Sequence, residues 1–386
     1  MKKVIVTDIK YRMAMSPIRE LSKKGYNVTA VEYDNVLENK RLGHFSKYVS
    51  QKTTVTDTNE EFIEGIKNLS KDDRAVLIPV NRKSLMYAIR NSDELKNYCD
   101  FLVPDIESIN LADDKFEICE IAKKVGVPVP KTTSISEHDS VEEMEKSVDY
   151  PCIIKYRNGE AMGKKPEDRY KIVYNKEEFI SLYNEMLKQD ANPIASDYIK
   201  GHDIGVAVIM DKNSKPVDFL CYESLREFPI EGGPTCFLRT IFDRNLLKYA
   251  CSLLEEIKFT GIAMLDFKGT IEKPYFLEIN PRVWGSAMIT EISGSSLFES
   301  YVKASLGNST PLDLDNCMPN YKLNQKMRFT PQSFACFISH MKKSKGKGKI
   351  FIEYLKSFFD FSVRDGLFSL RDSKPYFMYI KNLLKK

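Results

Sequence analysis

From Lys3 to Asp105 the chain alternates short, unbroken apolar runs with stretches of helical period. "KKVIVTD" (2–8) reads as a β-branched strand, and "SPIRELSKKGY" (16–26) as a helix with Pro17 in its first turn and Gly25 past its end. "NVTAVEY" (27–33) is a second strand, "EEFIEGIKNLS" (60–70) a helix, and "RAVLIPV" (74–80) a third strand. "SLMYAIRNSDELKNY" (84–98) follows as a helix and "DFLVPD" (100–105) as a strand. A strand with one wet face alternates apolar and polar residues, whereas these do not, so both faces are covered. Strand–helix alternation with doubly covered strands means a parallel sheet.

A parallel sheet of this kind invites a dinucleotide reading, which the first strand–helix turn opposes. "TDIKYRMAMSP" (7–17) lacks the G-x-G-x-x-G that lets a backbone approach a pyrophosphate. The fold expected here is therefore Rossmann-like in pattern only. At 386 residues the chain calls for about two or three domains. Its 58 basic and 54 acidic residues leave a net charge of +4, which makes no case for a nucleic-acid partner. Eight cysteines lie without C-x-x-C pairs or framework spacing, so neither zinc nor a disulfide scaffold is indicated. Four scattered histidines form no metal or catalytic set. No apolar stretch is long enough to cross a bilayer. The expectation is a reduced, cytoplasmic protein with no stable membrane insertion.

"DDKFEICEIAKKVG" (113–126) is an amphipathic helix ending at Gly126, and "VPVPKT" (127–132) is a stiff connector. A domain boundary falls just before that helix. From about Tyr150 the pattern becomes antiparallel, with strands at "PCIIKYR" (151–157), "KIVYN", "PIASDYI", "DIGVAVIMD" and "PVDFLCYESLRE". Residues 243–258 are helical, and past residue 310 the chain is basic and aromatic.

The chemistry concentrates in "GIAMLDFK" (261–268) and "YFLEINPRVWGS" (275–286). Side chains alternate along a strand, so Asp266 shares a face with Met264 and Lys268, while Glu278, Asn280 and Arg282 share one on the next strand. A simple hairpin register sets Asp266 opposite Glu278 or nearly so. Like charges facing each other in a sheet are destabilising, and a cleft adds a desolvation cost. A divalent cation relieves both, and two carboxylates with an amide oxygen suit Mg²⁺ or Mn²⁺ carrying nucleotide phosphates. Arg282, at the strand exit, has a planar fork suited to a phosphoryl group or carboxylate. "WGSAMITEI" (284–292) is expected to begin a helix whose first amides face the same anion.

"FLEINPR" with Asp266 upstream resembles the metal signature of the ATP-grasp superfamily, near its carboxylate–amine ligase and carbamoyl-phosphate-synthetase large-subunit branch. The likeness runs from the N-terminal α/β part to about residue 310. It implies an α/β and α+β architecture: an N-terminal Rossmann-like (pre-ATP-grasp) parallel sheet followed by a two-subdomain ATP-grasp fold. The corresponding division is 1–110 for the α/β domain, 111–200 for the lid, 201–310 for the central subdomain and 311–386 for a C-terminal extension.

The resemblance also implies roles. Lys155, interrupting an apolar strand, and Lys115 would neutralise ATP phosphates; Asp266, Glu278 and Asn280 would hold Mg²⁺ or Mn²⁺. In "IASDYIKGHDIGVAVI" (194–209), Ser196, Asp197 and Ile199 would line the adenine and Asp203 the ribose. Ser196 stands where the family usually has Glu, and Asp203 is shorter than the usual Glu. Lys164 and Lys165, in "NGEAMGKKPEDRY" (158–170), match a loop that closes over phosphates. "ESLREFPIEGGPTCFLRT" (223–240) carries Gly232-Gly233-Pro234 between Arg226 and Arg239, which would face an acceptor carboxylate or the moving phosphoryl group.

The function implied is an ATP-dependent ligase that joins a carboxylate to an amine, or to a thiol, through an acyl phosphate. Two rival readings are a non-catalytic ATP-binding module and a phosphotransferase that releases its phosphorylated product. The expected partners are small-molecule carboxylate and amine substrates. The basic tail suits core cover, a homodimer contact or an anionic membrane surface.

Overall fold

The structure is a computed structural model describing residues 2–159, 162–164, 168–228, 233–343 and 347–385. The first sheet has strands β1 (Lys3–Val6), β2 (Asn27–Tyr33), β3 (Gln51–Val55) and β4 (Val76–Ile78), in the order β3-β2-β1-β4 and all parallel. The reason β1 is apolar from Val4 to Val6 is visible in its packing. Val4 and Val6 point into the core that holds Met15, Ile18 and Leu21 of helix Met15–Lys23. Ile5 points the other way, onto Phe62, Ile63 and Ile66 of helix Asn59–Ser70. Two buried faces leave no polar side chain along Val4–Val6; Lys3, at the strand's start, is only half-buried.

Three expectations need correction here. The stretch 84–98 is two helices, Arg82–Arg90 and Ser92–Leu95, broken at Asn91. "DFLVPD" makes a single bridge from Asp100 to Val76 rather than a strand. β3 was missing from the sequence reading because "QKTTV" is an exposed sheet edge with no apolar period.

The second sheet has β5 (Thr132–Ser134), β6 (Cys152–Lys155), β7 (Tyr170–Val173) and β8 (Ile194–Asp197), antiparallel in the order β5-β8-β6-β7. Helix Lys176–Leu187 covers it through Phe179 and Tyr183, which join Ile154 in a core of their own. The third sheet is the largest: β9 (His202–Met210), β10 (Pro216–Glu227), β11 (Thr235–Ile241), β12 (Gly261–Gly269), β13 (Pro274–Asn280), β14 (Lys326–Arg328) and β15 (Val363–Asp365). Its order is β13-β12-β9-β10-β11-β14-β15. One continuous core runs from Val4 through Val206 and Leu265 to Phe298, so the first and third sheets share their packing.

Gly201 and Gly269 meet where the second sheet hands over to the third. Both have positive φ (139° and 133°), and a Cβ on Gly201 would lie 2.3 Å from the Gly269 carbonyl oxygen. The residues past 310 contribute β14 and β15 to the third sheet, plus helices Thr330–Lys343, Lys347–Phe358 and Lys374–Leu383. They also reach back to the start of the chain. The buried Arg19 guanidinium donates to Asp372 Oδ2 at 2.9 Å, and Ser46 Oγ donates to the same oxygen at 2.8 Å. Among the described residues no helix is long and apolar enough to cross a membrane.

Candidate active site

The β12–β13 hairpin starts in a register that pairs Gly269 with Pro274 and Phe267 with Phe276. Continued unchanged, that register would set Asp266 against Leu277. A bulge at Leu277 shifts it by one, and Asp266 then pairs with Glu278 and Met264 with Asn280. Below the bulge Phe267 and Phe276 are buried edge to face at 5.7 Å, fixing the hairpin on the core side.

The two facing carboxyls live in different fields. Burial and the charge of Glu278 push Asp266 well above the usual carboxylate range, and its Oδ2 accepts from Asn280 Nδ2 at 2.8 Å. Burial would raise Glu278 too, but Lys115 Nζ lies 2.5 Å from its Oε2 and holds it down to about 2. Lys115 is the first residue of helix Lys115–Lys124. Asp114 caps that helix by accepting from Phe116 N and Glu117 N at 3.1 Å each, and it also takes Arg157 Nε at 2.7 Å. One aspartate thus fixes the helix start and joins it to the strand end that carries Lys155.

Lys155, Ser196, Thr132 and Phe276 line a narrow cleft with Lys115. A neighbouring cleft is lined by Lys115, Asp113, Asn158, Glu278 and Asn280, so Lys115 stands between the two. Burial, then the nearby Lys115 charge, lowers the Lys155 ammonium. Of the hinge residues, Ser196 Oγ lies 3.0 Å from Thr132 Oγ1, Asp197 N donates to the Lys131 carbonyl at 3.0 Å, and Ile199 is half-buried.

Asp203 is not isolated. Lys268 Nζ reaches its Oδ1 at 2.6 Å and Glu227 Oε2 at 3.3 Å. Burial and Glu227 push Asp203 up to about 7 against the pull of Lys268. The sequence had signalled Lys268 by setting it two positions from Asp266; the partnership needed the cross-strand register, which pairs Lys268 with Asp203. Asp114 and Arg157 carried no such signal.

The arginines separate. Arg282, at the exit of β13, donates to the Val283 carbonyl at 3.1 Å and adds its charge to the surroundings of Tyr11, beside Asp8 and Glu32 of the first sheet. Arg239 pairs with Glu223 and keeps 42% of its side chain exposed. Arg226 stacks 3.8 Å over the Tyr354 ring and donates to Ser357 Oγ at 2.9 Å, so it is held by helix Lys347–Phe358. Lys164 Nζ bonds Gln189 and sits 4.7 Å over the Tyr156 ring. Lys165 and Gly232 lie outside the described residues. The helix expected from Trp284 starts only at Ile289 and ends at Ser293, because 285–288 form turns.

Residues 112–286 match the model of the ATP-grasp domain. The carbamoyl phosphate synthase large chain of Clostridium acetobutylicum is 23% identical over 264 residues, covering 64% of this chain and 24% of that protein. Pyruvate carboxylase of Bacillus subtilis is 25% identical over 224 residues, covering 54% of this chain and 19% of that protein. The chain thus spans about a quarter or less of the length of these curated relatives. Among solved structures, a biotin carboxylase–β,γ-ATP complex from Campylobacter jejuni superposes with a TM-score of 0.62 at 17% identity, over 84% of this chain and 74% of that one. N5-carboxyaminoimidazole synthetase from Staphylococcus aureus complexed with ADP gives 0.62 at 15% identity, over 84% and 80%. These likenesses carry the fold, and residues 112–286 carry the ATP-grasp domain.

Proposed function

We propose that the chain is an ATP-dependent, ADP-forming ligase that joins a carboxylate to an amine through an acyl phosphate. The observation that carries this reading is the cross-strand pair Asp266–Glu278, with Asn280 on Asp266 and Lys115 on Glu278. Two carboxylates and an amide are hard oxygen donors, and the raised Asp266 carboxyl is a cost that a divalent cation would offset, so the residues fit Mg²⁺ or Mn²⁺. Asp266, Glu278 and Asn280 would hold the ion, which when bound supplies charge neutralisation on the nucleotide phosphates.

The remaining roles belong to the chain's own side chains. Lys115 and Lys155 share one cleft and are proposed to take phosphate oxygens, Lys115 releasing Glu278 as it does so. Ser196, Asp197 and Ile199 are proposed to border the adenine and Asp203 the ribose, Lys268 steadying Asp203. The biotin carboxylase and N5-carboxyaminoimidazole synthetase neighbours are complexes with β,γ-ATP and ADP, which supports a nucleotide in this cleft. Arg282 is proposed to stabilise charge on the phosphoryl group as it moves to the carboxylate oxygen, a transfer that demands positioning rather than a nucleophilic side chain. Arg239, half-exposed, and Arg226 are proposed to meet the acceptor carboxylate or the moving phosphoryl group. The units 1–110, 111–200, 201–310 and 311–386 are proposed as the working division. The compartment proposed is the reducing cytoplasm, in keeping with eight free cysteines, seven of them buried.

The test uses hydroxylamine as a surrogate amine. Purified protein with ATP and Mg²⁺ should release ADP and form a hydroxamate from one member of a carboxylate panel. Tight ATP binding with no ADP release across the panel would overturn the ligase reading.

A further inference from the structure

We propose that the paired helices Thr330–Lys343 and Lys347–Phe358 form a docking face for an anionic phospholipid bilayer. Their inner sides are satisfied: Cys336 and Tyr354 are buried together, and Arg226 is stacked on Tyr354. Their outer sides are not what a water-facing helix carries. Phe334 and Ile338 on one helix, and Phe351, Ile352 and Leu355 with the adjoining Phe359 on the other, are all exposed, Phe359 by 67%. Large apolar side chains gathered on adjoining helices mark an interaction surface.

The arrangement along the second helix identifies the partner. At about 100° per residue, Phe351, Leu355, Phe359 and Ile352 fall within an arc of roughly 100°, with Lys347 about 40° beyond one edge and Lys356 about 40° beyond the other. Both lysines are exposed. An apolar arc bordered by lysines is the pattern of a helix lying in a membrane interface, its rings among acyl chains and its ammonium groups at phosphates. Charge excludes the obvious alternative. Residues 330–386 hold twelve basic and four acidic side chains, a net +8 in a chain whose total is +4. Two copies meeting face to face would bring like charges together, whereas anionic headgroups attract each basic residue.

Sedimentation of the full chain with lipid vesicles tests this. The protein should pellet with vesicles of equal parts phosphatidylglycerol and phosphatidylcholine, and stay in the supernatant with phosphatidylcholine alone. Lys347→Gln and Lys356→Gln should each weaken partitioning about fivefold. The combined variant Phe351→Ser, Ile352→Ser, Leu355→Ser should lose it while keeping the wild-type circular dichroism and melting temperature, since these side chains are exposed. Equal binding to both vesicle types, or to neither, overturns the proposal. So does a wild-type dimer on gel filtration that the triple variant converts to a monomer.

Discussion

Asp266 and Glu278 face each other across adjacent strands, yet one carboxyl is pushed far up and the other down to about 2. The asymmetry comes from Lys115, which touches Glu278 and leaves Asp266 to its own burial and to its neighbour's charge. Burial and the facing Glu278 charge thus disfavour the Asp266 carboxylate, a cost that a bound cation would offset.

Asp266→Asn should therefore raise the melting temperature of the free protein while lowering ADP formation by a factor of at least about 100. The amide keeps the shape and the bond to Asn280 while removing a disfavoured buried charge. Differential scanning fluorimetry beside an ADP-release assay checks both halves. A fall in both would assign Asp266 to folding alone.

Lys115→Met and Lys155→Met should affect the free protein in opposite ways. Losing Lys115 leaves Glu278 without its ammonium partner, destabilising by roughly 1–3 kcal/mol. Losing Lys155 removes a charge that burial already disfavours, so the free protein should melt higher. Both should weaken ATP binding. Chemical denaturation and calorimetric titration with ATP separate the effects.

Glu20 supplies a pH dependence far from the site. It is 5% exposed, its Oε1 accepts from Glu299 N at 3.0 Å, and its Oε2 has no hydrogen-bond partner among the described residues. Burial pushes it up to about 8 from an ordinary 4.5. A carboxyl raised on folding holds its proton more tightly in the native state. Its contribution is whole below pH 4.5 and is lost as pH climbs through about 8. The melting temperature should fall between pH 6 and 9 in wild type, and Glu20→Gln should flatten that fall. Thermal melts across the range decide it.

Gly201→Ala should cost roughly 1–3 kcal/mol, because the new Cβ would meet the Gly269 carbonyl and the backbone at φ 139° disfavours any side chain. Urea unfolding measures it; a variant as stable as wild type would mean the two sheets can separate there without penalty.

The parts of the molecule legible in sequence were those with a strict local period. β1, β2 and the Asp266–Glu278 face followed from side-chain direction alone. The register also came out right, although by way of a bulge at Leu277 that no residue in "IEKPYFLEIN" announces. Contacts created by topology stayed hidden: Lys268 with Asp203 needs β9 beside β12, and Asp114 with Arg157 needs the second sheet to fold over the helix start. The late start of helix Ile289–Ser293 was not hidden in this way, since Gly285 in "WGSAM" is a poor helix former and 285–288 form turns.

The buried Arg19–Asp372 pair joins residues 353 positions apart. During synthesis the first sheet would emerge with that guanidinium already placed and its acid still unmade. The packing around the first sheet is therefore complete only once Asp372 has been made, and a cut between the two partners would leave a buried guanidinium without its acid.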